Sequence, residues 1–311
     1  MEARQLITIK YQNVDITKSV SIISCYHDMY AGDKADSAHL VLNDVTGIWD
    51  KWGPKNGDEV NVIYGPIQTG KMYVYQCVPK DGTYDLKITA APPTYQEKNS
   101  KAWQKVRLLQ MGQEIADRHG LKFESYDVTD QLYEYILQNN QDDLSFLNFR
   151  AALEGCALIV YDGRLIMYDE HLMENYGADE FLNLSTNVEF DYHDASNDGY
   201  GSCLVERGGY SGTFDAGNDL TAVLKPKESF YVGSNGEAER FAKNLLRRAN
   251  KNGVTGYFKG PVMPGYAAGT CAVIKNARVE SWNGMVYLYH VRNDYANCWS
   301  KFFFRRPLEG Y

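Results

Sequence analysis

The residues that could do chemistry are concentrated in one polar stretch, DYHDASND, which contains Asp191, His193, Asp194 and Asp198. Carboxylates and an imidazole this close together could hold a calcium ion or exchange protons with a substrate. Calcium loops, however, need a tighter pattern of oxygen ligands than this stretch offers. We therefore interpret the stretch as a polar loop between strands.

No other stretch has the pattern of a catalytic or metal site. GGYSGT and GYGSC do not match the G-x-S-x-G nucleophile elbow, and neither HExxH nor GxGxxG occurs. Glu170 and His171, which follow a predicted hairpin, are expected at the surface. The six cysteines are scattered without a CxxC pair, which argues against a zinc site and a disulfide framework. The sequence thus predicts no catalytic residue, no cofactor and no metal, in a protein that is not an enzyme.

The composition indicates a folded protein of two or three domains, with 311 residues of which 44% are hydrophobic and 23% charged. The net charge of −8, without a basic stripe, predicts no specific nucleic-acid binding. No window approaches the ~18 apolar residues that span a bilayer, so no membrane contact is predicted. The first residues lack the pattern of a signal peptide, so synthesis in the cytoplasm is expected.

Residues 1–92 are predicted to form a first small antiparallel β-barrel. Period-two alternation marks the strands, as with Ile7, Ile9 and Tyr11 in LITIKY. Turn signals such as WGPKNGD and PKDGT separate short strands at regular spacing, which is typical of a small barrel or sandwich.

Residues 93–180 are predicted to form an α+β domain with two helices and a hairpin. The first helix is expected to start near Lys101 and to end at a C-cap on Gly120. Its inward positions would be Val106, Leu109, Ile115 and Ala116. The two aspartates of QDDLSFLNFR mark the start of the second helix, because negative charge is favoured there. The DG dipeptide in ALIVYDGRLIMYD is a strong hairpin signal.

Residues 181–311 are predicted to hold linking strands, an amphipathic helix over 237–251 and a second small antiparallel β-barrel. One face of the helix is apolar, with Ala238, Phe241, Ala242, Leu245, Leu246 and Ala249. We interpret its basic opposite face as solvated, with an acidic partner as the alternative. Residues 171–235 are polar and rich in glycine, and part of this stretch could instead return to the first barrel.

A repeated phrase is the reason for predicting a second barrel. GKMYVYQCV and GMVYLYHV share a Gly, two residues, a Tyr, one residue, a second Tyr and a hydrophobic tail. Each follows a Pro, a Gly and a strand, and each precedes a polar turn and a closing strand. We interpret the two phrases as copies of one module. The predicted fold is mainly β with α+β content: two similar small antiparallel β-barrels plus a middle α+β domain.

The duplication and the high tyrosine content both point to assembly. A homotrimer of such a chain would present six similar modules around one axis. The chain has 24 tyrosines, and Tyr supplies large, stiff contact area at interfaces. The tyrosines of the two phrases are therefore predicted interface residues: Tyr73, Tyr75, Tyr287 and Tyr289.

Several segments, taken in order, form a pattern more specific than any one of them. They are DITKSVSIISCYHDMYAGDKADSAHLVLND with GIWDKWGPKNGDEVNV, then AWQKVRLLQMGQEIADRHGLKF, then QNNQDDLSFLNFRAALEGCALIVYDGRLIMYDE, and the ending FFFRRPLEGY. Together they resemble the phage late-control gene D family, the baseplate hub proteins of contractile tails, which are related to the N-terminal part of VgrG spike proteins. The resemblance covers essentially the whole chain.

The resemblance implies a structural hub, a homotrimeric ring in which two barrels per chain make a pseudo-sixfold platform. The hexameric tail tube protein would stack on one side and the trimeric spike protein on the other. The tape measure protein would end nearby, beside other baseplate proteins. The protein would be made in the bacterial cytoplasm and incorporated into a virion or a DNA-free tailocin, a choice that stays open. Because the chain ends at the second barrel, cell-wall cutting is expected of another subunit.

Two alternatives belong to other classes of protein. A cell-wall hydrolase component of the same machine would need an acidic pair or a metal site in a cleft. A glycan-binding β module would need exposed Trp platforms. Trp49, Trp52, Trp282 and Trp299 could supply them, although buried Trp is the expectation.

Overall fold

The computed structural model describes residues 7–176, 181–183, 189–275 and 279–311. Strands outnumber helices among these residues, and the prediction of a mainly-β fold with α+β content is confirmed. No helix in the described ranges is long and apolar enough to cross a membrane.

The first region of the chain consists of short strands and one brief helix. Its elements are β1 (Ile7–Tyr11), β2 (Val14–Asp15), β3 (Ile22–Tyr30), β4 (Ser37–Asn43), α1 (Ile48–Trp52), β5 (Glu59–Tyr64), β6 (Ile67–Gln68), β7 (Met72–Lys80) and β8 (Thr83–Thr89). Alternation buries Ile7 and Ile9 on β1 and Val60 and Val62 on β5, as their period-two spacing predicts. These side chains belong to a hydrophobic core that continues into the middle of the chain.

The middle region combines strands with three helices. Its elements are β9 (Lys98–Arg107), α2 (Leu108–Arg118), β10 (Lys122–Tyr126), β11 (Leu132–Asp142), α3 (Asp143–Leu153), β12 (Cys156–Tyr161), β13 (Arg164–Asp169) and α4 (Glu170–Asn175). The DG hairpin is confirmed, because Asp162 and Gly163 have φ of 47° and 72° in the turn from β12 to β13. The start of the second helix is also confirmed, since the Asp142 carboxylate accepts a hydrogen bond from Ser145 N at 2.7 Å.

The predicted helix start at Lys101 is wrong. Residues up to Arg107 form β9, which pairs antiparallel with β11, and α2 begins only at Leu108. Trp103 and Val106 are both buried, and their spacing of three residues resembles a helical stripe. The left-handed φ of 46° at Lys105 interrupts the strand alternation between them. Pairing with a long partner strand thus outweighs the local helical pattern.

The last region contains the longest helix and a second set of paired strands. Its elements are β14 (Phe181–Asn183), β15 (Phe190–Asp194), β16 (Ser202–Arg207), β17 (Tyr210–Asp215), β18 (Val223–Leu224), α5 (Asn235–Asn250), β19 (Val254–Pro261), β20 (Cys271–Lys275), β21 (Gly284–Asp294) and β22 (Trp299–Arg305). The amphipathic helix is confirmed, with its start two residues earlier than predicted. Ser234 caps it by accepting from Glu237 N at 3.1 Å, and its apolar face packs on β16 and β17.

One continuous sheet connects the strands of the two predicted barrels. Within the described residues it has 14 strands, which follow the path β15-β19-β22-β21-β3-β4-β8-β7-β5-β1-β2, with β6, β14 and β20 attached at the sides. The two halves meet where β21 pairs antiparallel with β3. Within residues 171–235, β15 pairs with β19, while β16, β17 and β18 form a separate small sheet. The domain division stays a prediction, and its boundary at residue 180 lies outside the described residues.

Candidate functional site

The repeated phrase occupies equivalent places in two three-stranded units. We call β5, β7 and β8 the first unit and β20, β21 and β22 the second unit. In the first unit Tyr73 stands opposite Glu59, the first residue of β5. In the second unit Tyr287 stands opposite Cys271, the first residue of β20. The two phrases therefore have the same register against their neighbouring strands.

The turns that enter the two units also agree. Gly57 and Gly269 have φ of 89° and 91°, a region that favours glycine. Gly57 N donates to Val74 O at 2.8 Å, and Gly269 N donates to Leu288 O at 2.7 Å. This agreement in backbone geometry supports the predicted duplication.

In each unit the strand pairing is irregular at the second tyrosine of the repeated phrase. The pairing of β7 with β8 shifts between Val74 and Gln76, and the pairing of β21 with β22 shifts between Leu288 and His290. Tyr75 and Tyr289 are thus the extra residues of two equivalent bulges. The flanking strands follow the same scheme, because β4 and β3 continue from β8 as β19 and β15 continue from β22.

The four predicted interface tyrosines differ in exposure. Tyr75 is 40% exposed, and Tyr73 and Tyr289 are half-buried. Tyr287 is fully buried within the chain, and its hydroxyl lies 2.9 Å from that of Tyr168. Burial raises the pKa of Tyr287 well above its usual range. The interface role of all four stays a prediction, and the Tyr287 side chain faces the interior in this conformation.

The junction between the two halves of the sheet is the pairing of β21, in the second unit, with β3, in the half that contains the first unit, and an ion pair fixes its register. Arg292 stands opposite Asp28, and its Nε and Nη2 donate to the carboxylate at 2.8 and 3.1 Å. His290 Nε2 lies 2.7 Å from the same carboxylate. Burial raises the pKa of Asp28, but the hydrogen bonds from His290 and Arg292 outweigh burial and hold that pKa below its usual value.

Aromatic side chains also pack across the junction. Tyr295, which follows β21, is buried and stacks on Tyr64 of the first unit with ring centroids 4.8 Å apart. Its hydroxyl lies 2.8 Å from Nδ1 of His27. Burial lowers the pKa of His27 to about 4, so the ring is neutral near pH 7. Buried side chains from both halves therefore meet at the junction.

A buried ionic cluster anchors the second unit to the middle region. It joins carboxylates on α4 to cations on α5, at its C-cap and on β22, and consists of Glu170, Glu174, Arg247, Lys251 and Arg305. Glu170 accepts from Arg305 at 3.0 Å and from Arg247 at 2.9 Å. Burial raises the pKa of Glu170, but Lys251, Arg305 and Arg247 lower it to about 2. The expectation that Glu170 lies at the surface is wrong, because its cationic partners come from distant parts of the chain.

The polar stretch DYHDASND is partly a strand. Asp191, His193 and Asp194 lie on β15 with exposed side chains, and the interpretation of the whole stretch as a loop is wrong for them. Asp194 Oδ1 accepts from Ser196 N at 3.0 Å and from Ser196 Oγ at 2.6 Å, and so caps the turn that contains Asp198. Within the described part of the chain, no three His, Cys, Asp or Glu side chains are placed to hold a metal ion.

The four tryptophans suggested as glycan platforms each contact side chains of the same chain. Trp49 is buried, and Trp52 packs on Tyr11 with ring centroids 4.4 Å apart. Trp282 packs on Phe190 at 4.5 Å, and the Lys259 ammonium lies 4.4 Å from the Trp299 ring centroid. These rings take part in packing and cation–π contacts within the chain.

Solved structures match this fold, whereas neither a family model nor a curated protein matches the sequence. A 43 kDa tail protein of prophage MuSo2 from Shewanella oneidensis gives a TM-score of 0.77 over 97% of this chain and 98% of its own, at 12% identity. A tail protein from Neisseria meningitidis gives 0.74 over 97% and 96%, at 10% identity. An E. coli component of the type VI secretion system, similar in structure to T4 bacteriophage tail proteins gp27 and gp5, gives 0.60 over 97% and 78%, at 10% identity. The chain is therefore similar in fold, over nearly its whole length, to phage tail proteins and to a component of a secretion system.

Proposed function

We propose that this chain is the structural hub protein of the baseplate of a contractile phage tail or tailocin. The observation that carries the proposal is the pair of equivalent units, which share register, entry turn and bulge. A chain with two such units supplies six of them as a homotrimer, so a threefold assembly can match a sixfold partner. The likeness in fold to tail proteins supports the same role.

The proposed ring has two different faces. The hexameric tail tube protein stacks on the sixfold face, and the trimeric spike protein attaches to the threefold face. The tape measure protein and other baseplate proteins are further proposed partners. The protein is made in the bacterial cytoplasm and becomes part of the virion or tailocin. Its net charge of −8 suits a channel that does not retain DNA.

Light scattering tests this proposal directly. Three chains of 35.3 kDa give a mass of about 106 kDa for the closed ring. We expect that mass for the purified chain alone, or for the hub component once the candidate spike protein is added. A chain that stays monomeric at every concentration and does not bind the spike protein would contradict the hub. Binding to cell-wall glycans by that monomer would then favour the glycan-binding module.

A further inference from the structure

The junction within the chain uses one edge of each half of the sheet and leaves the equivalent edges free. It joins β21 of the second unit to β3, which lies beside the first unit. The counterpart of β21 is β7, and the counterpart of β3 is β15. Among the described strands, none pairs with the outer edge of β7 beyond Tyr73, and none pairs with the side of β15 opposite β19. When a head-to-tail contact between two similar modules is made once within a chain, each end of the chain keeps one unused surface, and these two surfaces are complementary to each other.

The register of the free edges follows from the equivalence of the units. Lys80 pairs with Thr83 on β8 as Asp294 pairs with Trp299 on β22. On the other side, His193 pairs with Thr255 as Asp28 pairs with Ser37. In this alignment Val78 is the counterpart of Arg292, and His193 is the counterpart of Asp28. Because Arg292 pairs with Asp28 within the chain, the equivalent pairing places Val78 opposite His193.

We propose that the outer edge of β7 in one copy of this chain pairs antiparallel with the free edge of β15 in the next copy. Val78 stands opposite His193 in this pairing, and Lys80 stands opposite Asp191. The inference rests on the proposed ring and identifies the strands that close it. The partner is a second copy of the same chain.

Backbone polarity fits the pairing. Ala31 N donates to Tyr289 O at 3.0 Å and Tyr295 N donates to Cys25 O at 2.9 Å, so alternate residues of β21 face β3. By equivalence, Cys77 and Pro79 face outward from β7. The two-residue turn after Lys80 leads to the same conclusion. In such a hairpin the pair next to the turn is hydrogen-bonded and the following pair is not, so the backbone groups of Pro79 point away from β8.

The edge of β7 is short, which suits a specific contact rather than open-ended aggregation. Pro79 faces the partner strand with a carbonyl but no N–H, so the pairing lacks one hydrogen bond at this position, and a proline there also blocks extended edge pairing. When the Asn56 side-chain amide is oriented so that its nitrogen faces acceptors, that nitrogen donates to Tyr75 O at 2.9 Å and occupies the edge of β7 there. The contact between copies is therefore confined to residues 76–80 on β7.

The side chains at this contact are complementary in charge. Lys80 is 54% exposed as a side chain and already contacts Asp85 at 2.6 Å, and Asp191 is exposed on β15. Opposite charges directly across two strands stabilise the pairing, as Arg292 and Asp28 do at the junction within the chain.

Disulfide trapping tests the register. Val78 and His193 form a pair without hydrogen bonds, whose Cα atoms lie about 4.5 Å apart, within the range that a disulfide spans. The variant V78C/H193C, in a C77S background, should give covalent dimers and trimers after mild oxidation, on a denaturing gel without reductant. The matched control V78C/Y192C puts the second cysteine on the opposite face of β15 and should stay unlinked.

The outcomes separate this inference from the proposed hub, because light scattering is measured on the same samples. A trimer that yields no covalent species would overturn the pairing of β7 with β15 and leave the hub intact. Equal cross-linking of both variants would also overturn the register. A chain that stays monomeric even with the candidate spike protein present, and that yields no cross-links, would overturn the pairing and the hub together.

Discussion

The two units have the same backbone scheme but different side-chain chemistry at equivalent positions. Arg305 on β22 corresponds to Thr89 on β8, since each pairs with the first tyrosine of its phrase. Arg305 is buried in the ionic cluster, whereas the Thr89 hydroxyl donates to the Asp36 carbonyl at 3.1 Å. A duplicated backbone thus keeps its register while its side chains specialise. The second unit contacts the middle region through the buried ionic cluster, whereas the first unit shares a hydrophobic core with it.

The loops after the phrases differ in the same way. In the first unit Asp81 and Gly82 make a two-residue turn from β7 to β8. In the second unit the turn between Asp294 and Trp299 is longer and contains Tyr295, which packs on the first unit. The longer turn therefore supplies an aromatic contact between the two halves, beside the pairing of β21 with β3.

The largest expected effect comes from removing the buried cation of the second unit. R305M leaves Glu170 and Glu174 without one of their partners, and breaking a buried ion pair in this way costs about 3 to 5 kcal/mol. T89V, at the equivalent site of the first unit, removes the hydroxyl that donates to Asp36 O and accepts from Ala91 N at 3.4 Å, and should cost about 1 to 2 kcal/mol. Urea unfolding at pH 7 compares the two. Equal losses would break the contrast between the units.

The next effect depends on pH and concerns Asp36, which precedes β4 in the half of the sheet that contains the first unit. Asp36 is 5% exposed, and burial raises its pKa from 3.8 to about 7. The folded state therefore holds a proton that the unfolded state releases, and stability falls as pH rises from about 4 to 7. Val254 occupies the equivalent position of the second half, since Ala90 N bonds to Asp36 O as Arg306 N bonds to Val254 O. A carboxylate thus replaces an apolar side chain at this point.

D36N should remove that loss of stability. Melting curves from pH 4 to 8 should show no difference from the parent near pH 4 and a gain on the order of 2 to 4 kcal/mol at pH 8. D81N, in the exposed hairpin turn, serves as the control and should leave the pH profile unchanged. A gain for D36N that is the same at every pH would rule out titration of Asp36 as the cause.

A smaller effect tests whether the two entry turns are equivalent. Alanine at Gly57 or Gly269 would hold a left-handed φ, at a cost of about 1 to 2 kcal/mol each. A Cβ at Gly57 would meet Pro93 Cγ at 3.5 Å and one at Gly269 would meet the Tyr287 hydroxyl at 4.0 Å, so neither site adds a clash. Thermal unfolding of G57A and G269A should give similar losses. A large difference between the two losses would mean that the two turns are not energetically equivalent, although their backbone geometry is the same.

The smallest effect concerns the charges at the contact between copies. K80E and D191K should each weaken association, and the double variant K80E/D191K should recover part of the loss. The coupling should be about 0.2 to 1 kcal/mol per contact. Sedimentation at low and high salt measures it, and the cycle separates it from the bond of Lys80 to Asp85. If the effects of K80E and D191K on association are strictly additive in the double variant, then Lys80 and Asp191 do not face each other across the contact.

Local patterns predicted much of the fold, because hairpins and amphipathic helices depend on nearby residues. The turn at Asp162 and the apolar face of α5 are examples. Contacts between distant residues could not be predicted in the same way. Glu170 looks like an ordinary surface residue until Arg305, 135 residues away, is placed beside it. Tyr73 and Tyr287 likewise are each the first tyrosine of their phrase, yet Tyr73 is half-buried, whereas Tyr287 is fully buried with its hydroxyl 2.9 Å from that of Tyr168.

The pairing of β21 with β3 also sets the order of events during synthesis. His290 follows Asp28 by 262 residues, so β3 must wait for its partner while most of the chain is translated. At about 5 to 20 residues per second, the wait lasts roughly 13 to 52 s. For that time the backbone groups of Cys25 and Ala31 that later bond to Tyr295 and Tyr289 have no permanent partner. The nascent chain thus carries an open strand edge through most of its translation, and that edge is where chaperones or neighbouring nascent chains would bind first.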